Sequence, residues 1–174
     1  MSTIITRLLA GAAGVALVAA TPLAGLGPAH AAGSVPSCTN ADLKASFRHT
    51  DAGAGHSFGL LVLRNRSSHS CRTGGYAGLS YVGGGNGTQI GAPAVRVDQG
   101  AVASYVVAPG QRLRSATDEV NALNYPKKVC HPAHVDGFRV YVPNSFTSQF
   151  VAHRTIGCRN PAIHLISEKP LRRP

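Results

Sequence analysis

An antiparallel all-β sandwich is the fold this sequence predicts, on three observations. Short apolar runs rich in Val, Leu, Tyr and Phe recur along the chain, and many alternate with polar residues in the period-2 pattern of a half-buried strand. Gly, Pro, Asn and Asp punctuate them at intervals of about ten residues. No stretch after the first 31 residues shows a convincing helical period.

Residues 1–31 stand apart. MSTIITR carries one positive charge, Arg7, and is followed by the uncharged apolar run LLAGAAGVALVAATPLAGLG. Ala29-His30-Ala31 matches a small-residue cleavage site, so this segment reads as a signal peptide. A single-pass anchor is the rival reading. Thr21, Pro22 and several glycines interrupt the run, and no basic stop-transfer cluster follows it. Removing 31 of 174 residues leaves 143, enough for one domain with its own core. No repeat and no second domain is evident.

Residues 32–37 form a linker, and the β domain is expected over 38–167. ADLKASFRHT alternates Leu43, Ala45 and Phe47 against polar neighbours, which predicts the first strand. DAGAG turns the chain into a core strand over residues 57–64, and Asn65 to Ser70 form a polar loop. CRTGGYAG leads to a second core strand near residues 78–82. Asn86-Gly87 is a strong hairpin signal, with TQI as the return strand. PAVRVD and AVASYVV are two further extended runs, and the segment 108–111 is a Pro-Gly turn. Arg112 to Leu123 fits a strand or a short helix, and its extended neighbours favour the strand. NYPKKVCHPAHVDG reads as a loop, GFRVYV as a strand, and QFVAH as the next run. RTIGCRNP then connects to a last strand, AIHLIS. The basic end, residues 168–174, is expected to be a flexible tail.

Cys38, Cys71, Cys130 and Cys158 are an even set in a chain that carries an export signal, which argues for two disulfides. Three pairings are possible. Cys38 with Cys71 and Cys130 with Cys158 are favoured because each closes a short loop, for a stabilisation of roughly 3.5 kcal/mol per bridge in the chain-entropy estimate. Lipidation of Cys38 within VPSC is the alternative. Pro36 beside the site and the distance to the apolar run argue against it, and it would orphan one cysteine.

The order Cys38, LVLRN, SCRTGGYAGLSYV, GTQIGAPA, VAPGQ, NYP with Cys130, FRVYVP and Cys158 resembles an exported actinobacterial family, domain of unknown function 4232. The resemblance spans about Cys38 to Ile166. It implies a secreted or wall-associated, immunoglobulin-like sandwich. It transfers no catalytic residue, because the family has none established. In that pattern a proline often follows the Gly-Tyr, where this chain has Ala77.

Chemistry-bearing motifs are few. Gly55-His56-Ser57-Phe58-Gly59 fits the nucleophile elbow of α/β-hydrolases, with Ser57 as nucleophile and residues such as His153 and Asp118 following in permissible order. A strand follows it where that motif needs a helix, and too little chain precedes it for the required parallel sheet. Cys130-His131-Pro132-Ala133-His134 has metal-ligand residue types, but disulfide pairing and two exposed loop histidines explain it more simply. Asn65-Arg66-Ser67 and Asn86-Gly87-Thr88 match glycosylation sequons and also suit turns. The tyrosines lie in or beside strands and read as packing residues.

Without Arg7, 16 Lys and Arg (17 less one) face 7 acids, a net charge of +9, and twelve of the 16 are arginine. Such a charge favours anionic partners: nucleic acid, wall polymers or acidic membrane surfaces. Plain solubility explains it equally well, because the basic residues are scattered along the chain. Arg64, Arg66 and Arg72 bracket one loop and suggest a small patch or a solvated turn. The expected role is a non-catalytic, secreted or cell-wall-associated binding module. It would associate weakly with anionic polymers, with no dedicated nucleic-acid site and no membrane span after cleavage. The alternatives are a secreted protease inhibitor, whose known subtilisin-inhibitor cysteine spacing this chain does not match, and a small esterase using Ser57. No catalytic residue, metal ligand or cofactor is assigned from the sequence, and the four cysteines are its only designated site residues.

Overall fold

The structure is a computed structural model that describes residues 34–97 and 102–174. The proposed signal peptide and the first part of AVASYVV therefore lie outside the described residues. In chain order the strands are β1 (Leu43–Gly53), β2 (His56–Asn65), β3 (Cys71–Gly74), β4 (Gly78–Gly83), β5 (Thr88–Ile90) and β6 (Val95–Arg96). They continue with β7 (Ser104–Val107), β8 (Arg112–Val120), β9 (Pro132–Tyr141), β10 (Ser148–Cys158) and β11 (Ile166–Glu168). A 3-10 turn at Ala122–Asn124 and a single helical turn, α1 (Lys127–Cys130), join β8 to β9.

The strands form a five-stranded sheet in the order β1-β2-β8-β11-β6 and a four-stranded sheet in the order β10-β9-β4-β5. A short β3-β7 ladder lies beside them. This is the expected all-β architecture. One pairing departs from it: β11 runs parallel to β6.

Alternation dictates which side chains enter the core. Leu43 and Ala45 of β1, Leu61 and Leu63 of β2, and Leu113 of β8 point inward. Leu79 and Tyr81 of β4 and Phe138 and Val140 of β9 do the same, as does Val135 before the phase of β9 changes at Gly137, and all are buried. Burying each large apolar side chain contributes about 1.5–3 kcal/mol. Gly59 leaves room on β2 for the Phe47 ring, which a Cβ there would strike. Phe47 thereby reaches Phe138, ring centroids 4.9 Å apart.

The two disulfides join Cys38 to Cys71 and Cys130 to Cys158, the pairs favoured by loop length. The first ties the entry segment to β3. The second ties α1 to the end of β10.

Three local expectations fail for identifiable reasons. Residues 124–137 are not one loop, because Lys127–Cys130 make a helical turn closed by His131 in a left-handed conformation, φ 50°. From Pro132 onward Ala133 and Val135 alternate inward, so β9 starts five residues before GFRVYV. The connector RTIGCRNP is largely strand: β10 continues through it to Cys158, past a register shift between Ala152 and Thr155. Ala162 to Leu165 precede the last strand rather than belong to it.

The third failure concerns residues 168–174, which are not a flexible tail. Glu168 and Leu171 are buried, the Leu171 N–H donates to the Gly75 carbonyl, and Arg172 makes two 2.8 Å backbone hydrogen bonds with Arg114. One apolar side chain between two prolines and two arginines hides a docked segment behind a tail-like composition. The domain accordingly runs to the end of the described chain rather than stopping at residue 167.

Candidate functional site

The outer face of the five-stranded sheet gathers basic side chains that the sequence keeps far apart. In register, Lys44 of β1 lies opposite Arg64 of β2, and Arg64 opposite Arg112 of β8. The next row carries Ser46, Val62 and Arg114, with Arg172 bridged to Arg114. Arg48 follows on β1. Adjacent strands stand about 4.8 Å apart and residues two apart on a strand about 6.8 Å apart. Lys44, Arg48, Arg64 and Arg112 are exposed, while Arg114 and Arg172 are half-buried.

A shallow hollow of about 400 Å³ runs between Ser46, Arg48, Val62, Arg64, Arg112 and Arg114. A second, of about 440 Å³, shares Arg112 and Arg114 and adds Arg173. Among the described residues every ion pair involves a histidine, and none of these arginines has a carboxylate partner. Like charges directly across a sheet are destabilising. The fold therefore carries an electrostatic cost at this face. The basic residues are scattered in sequence and clustered in space. Arg64 joins Arg112 and Arg114, whereas Arg72 pairs with Val106 in the β3-β7 ladder.

The opposite end of the same strands has different chemistry. A cleft of about 690 Å³ opens between the ends of β1, β2, β8 and β10, with Tyr81, Glu119 and His153 among its lining residues. Glu119 alternates inward on β8 with Leu113, Ser115 and Thr117, and is 4% exposed. Its Oε2 accepts hydrogen bonds from the Tyr81 hydroxyl and, at 2.9 Å, from His153 Nε2. Burial, with the Glu119 charge beside it, drives the Tyr81 hydroxyl far above the usual phenol range. His153 occupies the β10 register shift and stacks on Phe138, centroids 4.6 Å apart. Bulges re-aim side chains in this way. A second shift, at Thr50 between His49 and Asp51, loosens β1 on the facing wall.

Ser57 lies directly across from Glu119 and lines the same cleft as His153. The GHSFG segment nevertheless lacks the elbow. Gly55 makes the tight turn with φ 79°, and Ser57 is the second residue of an ordinary strand. A serine hydrolase turns His Nε2 toward the nucleophile and Nδ1 toward the acid. Here Nε2 is engaged by the acid. Asp118 projects to the outer face and pairs with His56 Nδ1 at 2.7 Å, away from His153.

The remaining motifs have structural explanations. Cys130 is bonded to Cys158, His131 caps α1, and His134 is exposed on β9. Among the described residues no three His, Cys, Asp or Glu side chains come together as a metal site. Asn65 is fully buried. Its amide donates to the carbonyls of His69 and Val107, and its oxygen accepts from Ser67. The Asn86 oxygen accepts from Thr88 in the β4-β5 turn. Both sequons are turn chemistry.

A two-sheet, doubly disulfide-bonded β domain with one arginine-rich face is thus the class of molecule in hand. The chain belongs to the family described as Domain of unknown function (DUF4232), whose model matches residues 38–166. Ala77, where that family's pattern often carries proline, is fully buried between β3 and β4. No curated protein and no solved structure matches the chain. The two disulfides are compatible with an extracellular protein, and no described helix is long and apolar enough to cross a membrane.

Proposed function

We propose that this protein is an exported, non-catalytic, wall-associated binding module that holds a phosphate-bearing wall polymer on the outer face of its five-stranded sheet. The observation that carries this reading is the unbroken cross-strand row Lys44-Arg64-Arg112, flanked by Arg48, Arg114 and Arg172 and unneutralised by acids among the described residues. Arginine presents a planar fork of donors that matches phosphate oxygens two at a time. An open sheet face with cations spaced by strand geometry suits an extended polymer laid across the strands better than it suits a small anion. Export is supported by the apolar leader of residues 1–31 and by the two disulfides. A non-catalytic role is supported by the geometry at Ser57 and by His153, whose Nε2 is engaged by Glu119.

The test is a titration of the mature protein with poly(glycerol phosphate), heparin and duplex DNA at about 50 and 200 mM salt. The double variant Arg64→Gln/Arg112→Gln is compared with Lys127→Gln/Lys128→Gln, which removes the same charge from α1. The proposal expects the first variant to weaken polymer binding and to flatten the log-log salt dependence by about two. The second variant should behave as wild type. Equal losses in both would mean that net charge alone, not this face, attracts the polymer. Tighter binding to DNA than to the wall polymer would replace the partner class.

A further inference from the structure

The two most exposed large apolar side chains among the described residues, Phe146 at 100% and Leu123 at 64%, stand at opposite ends of the sandwich. Phe146 tips the hairpin between β9 and β10. Its turn is fixed on both sides. Asn144 is left-handed, φ 61°, the Ser145 N–H donates to the Val142 carbonyl, and the Thr147 N–H donates to Ser145 Oγ. A ring held this way has little freedom left to lose in a contact. Gln149, three residues on, donates to the Leu43 carbonyl at 2.6 Å, and Leu43 lies opposite Asn65. The tip therefore projects at the end where β1 and β10 begin and β2 stops. Leu123 lines the open cleft of about 690 Å³ at the other end, where Val120 and Ile156 continue the apolar wall. A single exposed apolar side chain needs no explanation, whereas a projecting ring and an apolar-walled hollow on one molecule are complementary.

The charges of the five-stranded sheet follow the same polarity. At the Phe146 end the outward row across β1, β2 and β8 is Lys44-Arg64-Arg112. Towards the cleft end the row Asp51-Phe58-Asp118 crosses the same three strands. Arg154 is the one arginine or lysine among the cleft-lining residues. Copies set end to end bring the cationic row of one towards the acidic row of the next. The molecule as a whole is strongly basic, which opposes association at long range. A Debye length of about 8 Å at 0.15 M salt screens that repulsion and leaves contacts between opposite charges.

We propose that copies of this chain associate head to tail, with Phe146 of one copy entering the cleft of the next and packing on Val120, Leu123 and Ile156. The contact joins two different surfaces, so every copy keeps a free tip or a free cleft and the assembly stays open. It requires no phosphate and stands apart from the polymer reading.

The experiment is sedimentation velocity of the mature, oxidised protein from about 10 μM to 1 mM at about 0.15 M salt. The mean mass should rise with concentration and pass that of a dimer. Phe146→Ser removes the tip and Leu123→Lys obstructs the cleft, and both fall on exposed side chains. Each variant alone should associate at least about tenfold more weakly than wild type. An equimolar mixture of the two should form a dimer and stop there, because its intact tip and its intact cleft lie on different molecules. A wild type that stays monomeric at the highest concentration would overturn the proposal, as would a plateau at the dimer. Undiminished association of either variant, or a mixture that stays monomeric, would do the same. Binding of monomeric wild type to phosphatidylglycerol–phosphatidylcholine vesicles, lost in Phe146→Ser, would assign the tip to a bilayer instead.

Discussion

Replacing Arg64 by Gln is expected to make the folded protein more stable and its polymer binding weaker, two effects of opposite sign from one row of charges. Arg64 sits between Lys44 and Arg112, its directly opposite neighbours on β1 and β8. With Cβ atoms about 5 Å apart and flexible side chains splaying outward, the charged ends stand roughly 6–7 Å from each other. In water two unit charges at that distance repel by about 0.6 kcal/mol, so two neighbours contribute about 1 kcal/mol at low salt. With a Debye length of about 8 Å at 0.15 M, roughly half of this survives. At 1 M, where the length is about 3 Å, almost none does. Urea unfolding of wild type and Arg64→Gln at about 10 mM, 150 mM and 1 M salt should therefore show a gain near 1, near 0.5 and near zero kcal/mol. Affinity for poly(glycerol phosphate), measured in the same buffers, should fall. Lys128→Gln, on α1 and outside the row, should show no such gain. A loss of stability at 10 mM salt, or a gain unchanged at 1 M, would refute the charge-row account, because neither follows from screened repulsion.

Three further outcomes are expected. Burial raises the Glu168 carboxyl from 4.5 to about 8, against the partly offsetting charge of Arg96. The native state therefore keeps a proton that the unfolded chain gives up. The Glu168 contribution to stability is greatest below pH 4.5, falls as pH rises towards 8, and levels off above it, by at most about 5 kcal/mol. Glu168→Gln should flatten that slope in urea unfolding across pH 4 to 9, and an unchanged slope would count against the buried acid. Leu171→Ala should cost about 2–4 kcal/mol, because Leu171 is fully buried; a change under about 0.5 kcal/mol in calorimetry would restore a frayed tail. Ser57 should resist fluorophosphonate labelling, and a label that Ser57→Ala abolishes would reopen the hydrolase reading.

How far the molecule is legible in its sequence depends on the range of the interaction that decides each feature. Strand identity is local. Alternation in ADLKASF, the Asn86-Gly87 turn and the apolar run after Ser57 each declare themselves within ten residues. Short-loop closure similarly favours the disulfide pairs. Features that depend on register do not declare themselves. Lys44, Arg64 and Arg112 lie 20 and 48 residues apart (64 less 44, and 112 less 64), and only the pairing of β1, β2 and β8 makes them one row.

His153 reaches Glu119 from a register shift in β10, a displacement that a clean period-2 reading of QFVAH and RTIGC passes over. Glu119 itself left a signal. Once Leu113 is taken as facing inward, strict alternation along RLRSATDEV forces Ser115, Thr117 and Glu119 to the same face. A carboxylate in that phase has to find donors inside the fold. Tyr81 and His153 supply them to one oxygen, while the other remains without a partner. The same alternation puts Arg112 and Arg114 on the outer face, with Asp118 further along it, and leaves Glu119 as the inward-facing charge of β8. A one-residue slip of β8 would put arginines in the core and Glu119 in solvent. The cost of burying those charges unpaired makes the register of β8 the condition on which both the arginine face and the Glu119 cleft depend.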